Sequence, residues 1–221
     1  RNKMRKTKHI AVIPDGNRRW AASRGLSKEA GYQHGLRPAL ELLRQAKEIG
    51  IEEITFYGFT TDNCKRPAAQ VQAFRSACVE AVQMACRAAE GADLLVVGNA
   101  KSPCFPPELR PFCQRQPVAG GGIRLNFLVN YGWEWDLAGL QQNATQSASR
   151  RQLYGGLQSA DISRIDLVVR WGGRRRLSGL LPVQAVYADF YVLDELWPDW
   201  QPQHLQNALA WWNKQDVTLG G

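Results

Sequence analysis

Residues 9–20 read HIAVIPDGNRRW, an apolar run that stops at a polar turn. The first five residues have the composition of a buried strand, and residues 14–17 are of the types that end a strand in a tight turn. Gly16 and Asn17 would let backbone N–H groups of a following helix approach an anion, Asp15 can hold Mg²⁺, and two arginines add positive charge. These are the components of a diphosphate site, although an ordinary turn with a solvated arginine pair has the same composition.

Strands and helices alternate along the remainder of the chain. Apolar runs predict strands at 9–13, 51–59, 92–97, 123–130, 165–169 and 187–192, and helical spacing predicts helices at 38–49, 68–89, 137–158 and 201–214, with a short helix starting at 107. Because this alternation produces parallel strands with helices on both faces, we expect an α/β fold. The predicted architecture is a single domain over residues 1–221, a mostly parallel central sheet of about six strands flanked by helices, with a basic N-terminal tail at 1–8.

The chain carries a large excess of positive charge. Its 221 residues include 28 Lys and Arg against 20 Asp and Glu, a net charge of +8. Such a balance suits nucleic acid, an anionic membrane surface or a phosphorylated small substrate. The arginines cluster at predicted strand ends, where α/β sheets bind phosphate ligands, and do not alternate with exposed aromatic residues along one element. We therefore expect a small-molecule phosphate ligand and no nucleic acid, with salt-dependent nucleic-acid binding as the alternative.

Hydropathy and cysteine content indicate the cellular compartment in which the protein functions. No apolar run approaches the roughly 20 residues that span a bilayer, so no transmembrane segment is predicted. The apolar run after the basic tail stops at Asp15 and is too short for a secretory signal, which favours a cytoplasmic protein. The five cysteines are odd in number and lack paired zinc-site spacing. Reduced thiols are therefore expected.

A second basic segment reads RWGGRRRLS at 170–178, directly after a predicted strand. Its four arginines repel one another unless an anion neutralises them, and the two glycines permit the tight backbone path that would turn them inward. A solvated basic loop is the alternative. Asn63 and Arg66 follow another predicted strand, and Asp189 is interpreted as a second carboxylate at a strand end.

These motifs together resemble those of the cis-prenyltransferases, the undecaprenyl diphosphate synthase-like family. The stretch at 9–21 is similar to the family's opening motif, and the resemblance continues at 31–35, 50–67, 130–132, 166–178 and 187–198. It implies a homodimeric α/β fold with an apolar tunnel for the prenyl chain. It also implies Mg²⁺-dependent transfer of a prenyl group between two isoprenyl diphosphates.

The resemblance assigns roles to individual residues. Asp15 is similar to the aspartate that holds Mg²⁺ on the allylic diphosphate, and Asp189 stands where the family has a metal-binding glutamate. The resemblance implies that the allylic diphosphate is bound by Gly16, Asn17, Arg18, Arg19, Lys28 and Arg66, and the second diphosphate by Arg170, Arg176 and Ser178. Asn63 matches a catalytic-site asparagine, and Tyr32 stands at a catalytic position where the family has a histidine. Candidate substrate contacts in the apolar wall that keeps water from a carbocation are Trp20, Phe56, Phe59, Tyr131 and Trp171.

Departures from the family pattern cluster on the acceptor side. Tyr32 replaces histidine, and a phenol with a reference pKa of about 10 relays protons poorly near neutrality. WGGR at 171–174 replaces the common Thr-Ser-Gly-Glu, Cys64 replaces a tryptophan, and 217–221 lacks the family's C-terminal arginine. Gly-Tyr at 31–32, Arg-x-Gly-Gly and Arg-x-Ser are similar to a small branch, the lavandulyl and cyclolavandulyl diphosphate synthases. That branch joins two allylic diphosphates head to middle.

Three functions are consistent with these residues. The leading hypothesis is a short-chain, irregular condensation of the head-to-middle type, with dimethylallyl diphosphate as acceptor. The alternatives are regular head-to-tail transfer to isopentenyl diphosphate and a non-catalytic partner subunit. Such subunits typically lose the strand-end aspartate, which this chain keeps as Asp15.

Overall fold

The computed structural model describes residues 7–88, 91–141 and 149–215. Within these residues the chain forms one seven-stranded sheet in the order β4-β3-β5-β2-β1-β6-β7. The strands are β1 His9–Ile13, β2 Glu53–Thr60, β3 Ala92–Val97, β4 Gln116–Val118, β5 Ile123–Tyr131, β6 Leu167–Arg170 and β7 Asp189–Val192. All neighbouring strands pair in parallel except β4, which is antiparallel to β3. The predicted fold class is confirmed.

Helices connect the strands. They are α1 Asn17–Ser23, α2 Ala30–His34, α3 Leu36–Ile49, α4 Ala68–Arg87, α5 Trp133–Gln141, α6 Arg150–Gly155 and α7 Pro202–Trp212, with 3₁₀ turns at Thr61–Lys65, Pro107–Cys113 and Trp197–Asp199. None of the helices in the described ranges is long and apolar enough to cross a membrane. All five cysteines are free thiols, as predicted.

The central strand β1 shows why the sheet forms. Each of its five residues is buried, and successive side chains enter opposite layers of the core. Ile10 and Val12 pack into the layer that holds α3, α4 and α7, whereas Ala11 and Ile13 pack into the layer on the other face. A strand covered on both faces is mostly apolar, as four of the five residues of β1 are, which is why an apolar run predicted it.

Three predictions at the level of elements need correction. The short edge strand β4 was not predicted because it has three residues and contains Pro117, a residue that sheets admit at their edges. The sheet therefore has seven strands, where about six were expected. The helix predicted at 137–158 is two helices, α5 and α6, and residues 142–148 between them lie outside the described residues, as do residues 1–6 of the basic tail.

Parallel pairing brings the functional loops to one end of the sheet. Ile13, the last residue of β1, pairs with Arg170, the last residue of β6. On the other side of β1, the end of β2 leads directly into the 3₁₀ turn at Thr61–Lys65. Loops that follow parallel strands meet at the carboxyl edge of the sheet, the usual ligand-binding edge of an α/β fold.

Candidate active site

A cavity of about 740 Å³ lies at this carboxyl edge and extends between α3, α4 and the sheet. Its polar end is lined by the loops after β1, β2 and β6. The predicted site residues that line it are Asp15, Gly16, Asn17, Arg18, Arg19, Lys28, Tyr32, Asn63, Arg66, Arg170, Arg176 and Ser178. Sequence motifs far apart along the chain thus converge on one cavity.

Asp15 and Arg170 join the two predicted anion sites. The Arg170 Nη2 group donates a hydrogen bond to Asp15 Oδ2 over 2.9 Å. Arg19 Nη2 lies 3.6 Å from the same oxygen. The Arg170 side chain is only 5% exposed, whereas that of Asp15 is 33% exposed. Residues of the loops after β1 and β6 are therefore in direct contact.

Arg170 also organises the loop at 171–178. Its Nη1 group donates to the carbonyl oxygen of Arg176 and, over 2.8 Å, to Ser178 Oγ. Its Nε atom is buried and has no hydrogen-bond partner within the described residues. Tyr57 donates its hydroxyl hydrogen to the Ser178 carbonyl over 2.8 Å. These two hydrogen bonds hold the backbone of the loop in place, and with it the Cα position of Arg176.

Gly172 permits the close approach of the two anion sites. It has a φ of +86°, and a Cβ at this position would lie 2.6 Å from Arg19 Nη2. Instead, Arg19 Nη2 donates to the Gly172 carbonyl over 2.9 Å. A side chain here would force Arg19 away from Asp15.

Tyr32 and Arg66 form a pair on the opposite wall. Arg66 Nη1 donates to the Tyr32 hydroxyl oxygen over 3.2 Å. The Tyr32 ring packs on Phe74, with centroids 4.5 Å apart. Burial raises the pKa of Tyr32, and the nearby Arg66 and Arg18 lower it only in part. Tyr32 is thus a neutral phenol near neutral pH, able to donate a hydrogen bond and to position Arg66.

Asn17 and Asn63 are held by local hydrogen bonds. Asn17 Nδ2 donates to the Pro14 carbonyl over 3.0 Å, while its buried Oδ1 has no hydrogen-bond partner in the described chain. Asn63 caps the turn after β2: its Oδ1 accepts from the Thr60 backbone N–H over 3.0 Å. In each side chain, one atom of the amide forms a hydrogen bond with the backbone of the cavity rim.

Two predicted site residues lie elsewhere. Trp20 does not line the cavity, because its indole Nε1 donates to Asp199 Oδ1 over 2.7 Å and Arg24 covers its ring. Asp189 is the first residue of β7 and pairs with Leu167 at the amino end of β6, whereas Val192 pairs with Arg170. Three residues of strand, about 10 Å, separate it from the level of Arg170. Asp189 therefore lies at the start of a strand and not at its end as predicted, and its role in metal binding stays a prediction.

The apolar wall was predicted only in part. Of the five aromatic candidates, Phe56 lines the cavity, whereas Phe59, Tyr131 and Trp171 are packed within the core. The sequence analysis missed Phe127, Phe74 and Trp197, which line the apolar part together with small residues of α4. Pairing of β2 with β5 could have identified Phe127, because it is the cross-strand partner of Phe56.

The field in the cavity is strongly positive. Among the described residues, seven basic side chains and two carboxylates line it. The basic ones are Arg18, Arg19, Lys28, Arg66, Arg170, Arg174 and Arg176, and the acidic ones are Asp15 and Asp62. A concave surface with this balance concentrates polyanions such as diphosphates.

The comparisons with known proteins agree with this geometry. The sequence profile of the family described as putative undecaprenyl diphosphate synthase matches residues 13–220. The chain belongs to the undecaprenyl diphosphate synthase family. Its relatives in this family are named as prenyl-transferring enzymes, and the protein is a prenyltransferase.

Individual relatives match this chain over nearly the full length of both proteins. The ditrans,polycis-undecaprenyl-diphosphate synthase of Pectobacterium atrosepticum is 32% identical, over 97% of this chain and 90% of its own. The isoprenyl transferase of Geobacillus kaustophilus is 29% identical, over 100% of this chain and 98% of its own. A crystal structure of lavandulyl diphosphate synthase from Lavandula x intermedia superposes with a TM-score of 0.83, at 21% identity, over 97% and 98% of the two chains. This last similarity shows a shared family fold.

The cavity residues fit a magnesium ion whose ligands would come mainly from the substrate diphosphate. No group of three or more His, Cys, Asp and Glu side chains converges within the described ranges, so a site made of protein ligands alone is not present there. Mg²⁺ in phosphate-transferring proteins is commonly held by one or two carboxylates, waters and substrate phosphate oxygens. Asp15, one-third exposed and facing the cavity, has the chemistry and position of that single carboxylate.

Proposed function

We propose that this family member condenses an allylic prenyl diphosphate with a second isoprenoid diphosphate in the cavity described above, with Mg²⁺. The observation that carries the proposal is the contact between Asp15 and Arg170, in a cavity that arginines of both adjoining loops line. Two diphosphates bound there would have their reacting carbons in the adjoining apolar space. Fixing both reactants removes most of the entropic barrier to their reaction.

The donor side is assigned to the loop after β1 and the turn after β2. Arg18, Arg19, Lys28 and Arg66 would bind the allylic diphosphate. Mg²⁺ held by Asp15 and diphosphate oxygens would neutralise the negative charge that develops as the allylic C–O bond breaks. The arginines give the same stabilisation from fixed positions, which lowers the barrier without reorganisation.

The acceptor side is assigned to β6 and its loop. Arg170, Arg174, Arg176 and Ser178 would bind the second diphosphate. Arg174 occupies a position where the family commonly has a glutamate, so this site is more positive than the usual one. The Gly-Tyr and Arg-x-Gly-Gly motifs favour dimethylallyl diphosphate as the acceptor.

The irregular reaction is then defined by its bonds. C1 of the donor bonds to C2 of the acceptor while the donor C1–O bond breaks and its electron pair leaves with diphosphate. The resulting tertiary cation at C3 of the acceptor loses a methyl proton to a diphosphate oxygen and gives a branched, lavandulyl-type product. Tyr32 is unsuited to take this proton, since burial raises the pKa of its hydroxyl and keeps it protonated.

One incubation tests both levels of the proposal. Purified protein with Mg²⁺ is given dimethylallyl diphosphate alone, or with isopentenyl diphosphate, and the dephosphorylated products are identified by gas chromatography and mass spectrometry. We expect a branched ten-carbon alcohol from dimethylallyl diphosphate alone. Exclusively linear cis products from the isopentenyl mixture would refute the irregular reaction and leave the prenyltransferase assignment intact.

Regular head-to-tail transfer is the second candidate. It is favoured by the relatives, which are named isoprenyl transferase and ditrans,polycis-undecaprenyl-diphosphate synthase. A non-catalytic subunit is disfavoured because Asp15, Asn17, Arg66 and Arg170 all line the cavity. Release of no diphosphate from any allylic substrate would support that third possibility.

We propose a homodimer in addition. Val186 and Tyr187 are adjacent in the chain and are 62% and 61% exposed, and Leu153 of α6 is 45% exposed. The same helix contacts this segment, since the Arg150 guanidinium lies 5.8 Å from the centroid of the Tyr187 ring. Light scattering after gel filtration should give twice the mass of the 24.8 kDa chain. Val186→Glu should yield monomer, whereas Glu48→Lys, on an exposed part of α3, should leave the dimer intact.

A further inference from the structure

Two cysteines that take no part in the proposed reaction meet at the carboxyl edge of the sheet. Cys64 is in the turn after β2 and Cys104 is in the loop after β3, and β5 lies between these two strands. Asn130, near the end of β5, contacts both loops. Its Oδ1 accepts a hydrogen bond from Cys64 Sγ over 3.3 Å, and its Nδ2 donates to the Asn99 carbonyl over 3.0 Å. The end of β5 therefore holds the two loops together.

Hydrogen bonds within the second loop bring Cys104 to the same place. The Ser102 backbone N–H donates to the Asn99 carbonyl over 3.1 Å, and the Cys104 backbone N–H donates to Ser102 Oγ over 3.2 Å. The side chains of Cys64 and Cys104 are in hydrogen-bond contact. Both are free thiols and partly exposed. Because a disulfide bond is about 2.05 Å long, small shifts of these loops would let the two sulfur atoms join.

The surroundings of the pair favour thiol chemistry over metal binding. No third His, Cys, Asp or Glu side chain converges on the two cysteines within the described residues, so the ligands of a zinc site are not present there. The Arg75 guanidinium of α4 lies close enough to stabilise a thiolate at Cys64. Burial nevertheless raises the pKa of Cys64 to about 12. Since Cys64 stays protonated near neutral pH, we assign the first reaction with an oxidant to Cys104.

The turn that carries Cys64 also carries Arg66. The Arg66 backbone N–H donates to the Asn63 carbonyl over 3.1 Å, so the residues on both sides of Cys64 form one hydrogen-bonded unit. Asn63 and Arg66 line the cavity, whereas no residue of the loop at 99–105 does. A covalent bond to Cys104 would therefore act on the cavity by displacing the turn.

We propose that Cys64 and Cys104 form a reversible disulfide in the presence of hydrogen peroxide, and that this bond weakens donor binding by displacing Arg66. The effect on the donor rests on the proposed prenyl transfer, whereas formation of the bond does not. The Cys104 sulfur attacks one peroxide oxygen, the O–O bond breaks, and a sulfenic acid and water result. The Cys64 sulfur then attacks the Cys104 sulfur, the S–O bond breaks, and the thiol proton leaves in a second water. Two thiols are thus oxidised and one peroxide is reduced to two waters.

Peptide mapping tests whether the bond forms. The protein is treated with hydrogen peroxide, the remaining thiols are alkylated, and the digest is analysed by mass spectrometry with and without reduction. Trypsin leaves Cys104 and Cys113 on one peptide, so the protease Glu-C, which cleaves between them after Glu108, is added. We expect the peptides that contain Cys64 and Cys104 to be joined and to separate on reduction.

Kinetics test the consequence for the donor. After the peroxide is removed, oxidised wild type should have a donor KM raised by at least about 10-fold, as expected for loss of one hydrogen bond to a charged group, and dithiothreitol should reverse the change. Cys104→Ala should match reduced wild type before and after peroxide. The matched control is Cys113→Ala, because Cys113 is also partly exposed and does not line the cavity. This control should stay sensitive to peroxide.

If Cys104→Ala fails to fold, Cys104→Ser replaces it. Absence of the joined peptides, an unchanged donor KM in protein that contains the bond, or peroxide sensitivity that persists in the folded Cys104 variant would each overturn the inference. Reduced protein that releases no diphosphate from any allylic substrate would instead refute the proposed function. The peptide map would then still test the bond, and a smaller rise in Tm with inorganic diphosphate after oxidation would still show its effect on the cavity.

Discussion

Two arginines share one carboxylate oxygen at the centre of the cavity, and they differ in how they are held. Arg19 is 45% exposed and reaches Asp15 from the solvent side. Arg170 is buried and forms hydrogen bonds with Asp15, Arg176 and Ser178 at once. A planar guanidinium can satisfy three acceptors in fixed directions, and a lysine ammonium at the end of a flexible chain cannot reproduce this geometry.

Arg170→Lys should therefore impair acceptor binding although the charge is kept. Loss of one or two charged hydrogen bonds, each of about 1.5–3 kcal/mol, should raise the KM of the acceptor by about 10-fold or more. The KM of the donor should change less. Arg175→Lys is the control, because Arg175 is exposed and does not line the cavity. Steady-state kinetics with each substrate varied in turn provides the readout, and an equal rise in both KM values would argue against separate sites.

Tyr32 offers a second test at this scale. Tyr32→Phe removes the oxygen that Arg66 contacts but keeps the ring on Phe74. We expect a loss of about 10-fold in kcat/KM for the donor, typical of one hydrogen bond to a charged group. Because burial already raises the pKa of Tyr32 above its ordinary value, the pH profile near neutrality should keep its shape. Disappearance of a basic limb below pH 9 in the variant would show instead that Tyr32 acts as a proton relay.

At the scale of elements, burial decided which strands were predictable. β1 and β3 were predicted with the observed bounds because nearly all of their residues are apolar and covered on both faces. The sequence around Ser149 is polar and lacks apolar helical periodicity, so the extended backbone of Ser149 before α6 was not predicted. Asp189 was misplaced because its distance from the carboxyl edge depends on the register between β6 and β7, and register is a property of pairing that a lone apolar run does not show.

The start of α7 carries a pH-dependent contact. His204 Nδ1 accepts from Trp171 Nε1 and from the Gln201 backbone N–H, each over 3.2 Å. Burial lowers the pKa of His204, and Glu195 opposes this only in part. Burial likewise lowers the pKa of His9 in β1, with Glu53 opposing it. Both imidazoles are neutral in the folded state at pH values where they are already protonated in the unfolded chain.

The lowered pKa values of His9 and His204 determine how the stability of the fold changes with pH. Below about pH 6.5 the unfolded chain binds protons that the folded protein does not, so the free energy of unfolding decreases as the pH falls from 7 toward 5. A loss of 1 kcal/mol in the free energy of unfolding corresponds to a decrease of about 2–4 °C in Tm for a domain of this size. We expect the Tm to fall by about this amount between pH 7 and pH 5. Thermal denaturation at pH 5, 6 and 7 measures it. His204→Gln should reduce the slope, and a Tm that rises toward pH 5 would contradict the assignment.

At the scale of the whole molecule, the excess of positive charge has a specific location. The net charge is +8, and seven basic side chains face one cavity within the described residues. A protein that binds nucleic acid would instead present its basic residues along an outer face, with affinity that decreases steeply as salt increases. The placement of the charge therefore favours compact, multiply charged anions as the ligand class.

Binding of inorganic diphosphate should accordingly stabilise the fold. A ligand that binds only the folded state contributes about 2.7 kcal/mol at 100 times its Kd, which should raise the Tm by several degrees. Mg²⁺ should increase this shift further in wild type but not in Asp15→Asn, because Asp15, which lines the cavity, is the carboxylate that we propose to share the ion with the ligand. Asp62→Asn, another carboxylate on the cavity rim, is the matched control and should keep the Mg²⁺ increment. Stabilisation by a single-stranded or duplex oligonucleotide but not by diphosphate would support nucleic-acid binding instead. An Mg²⁺ increment that survives in Asp15→Asn would show that Asp15 does not bind the metal.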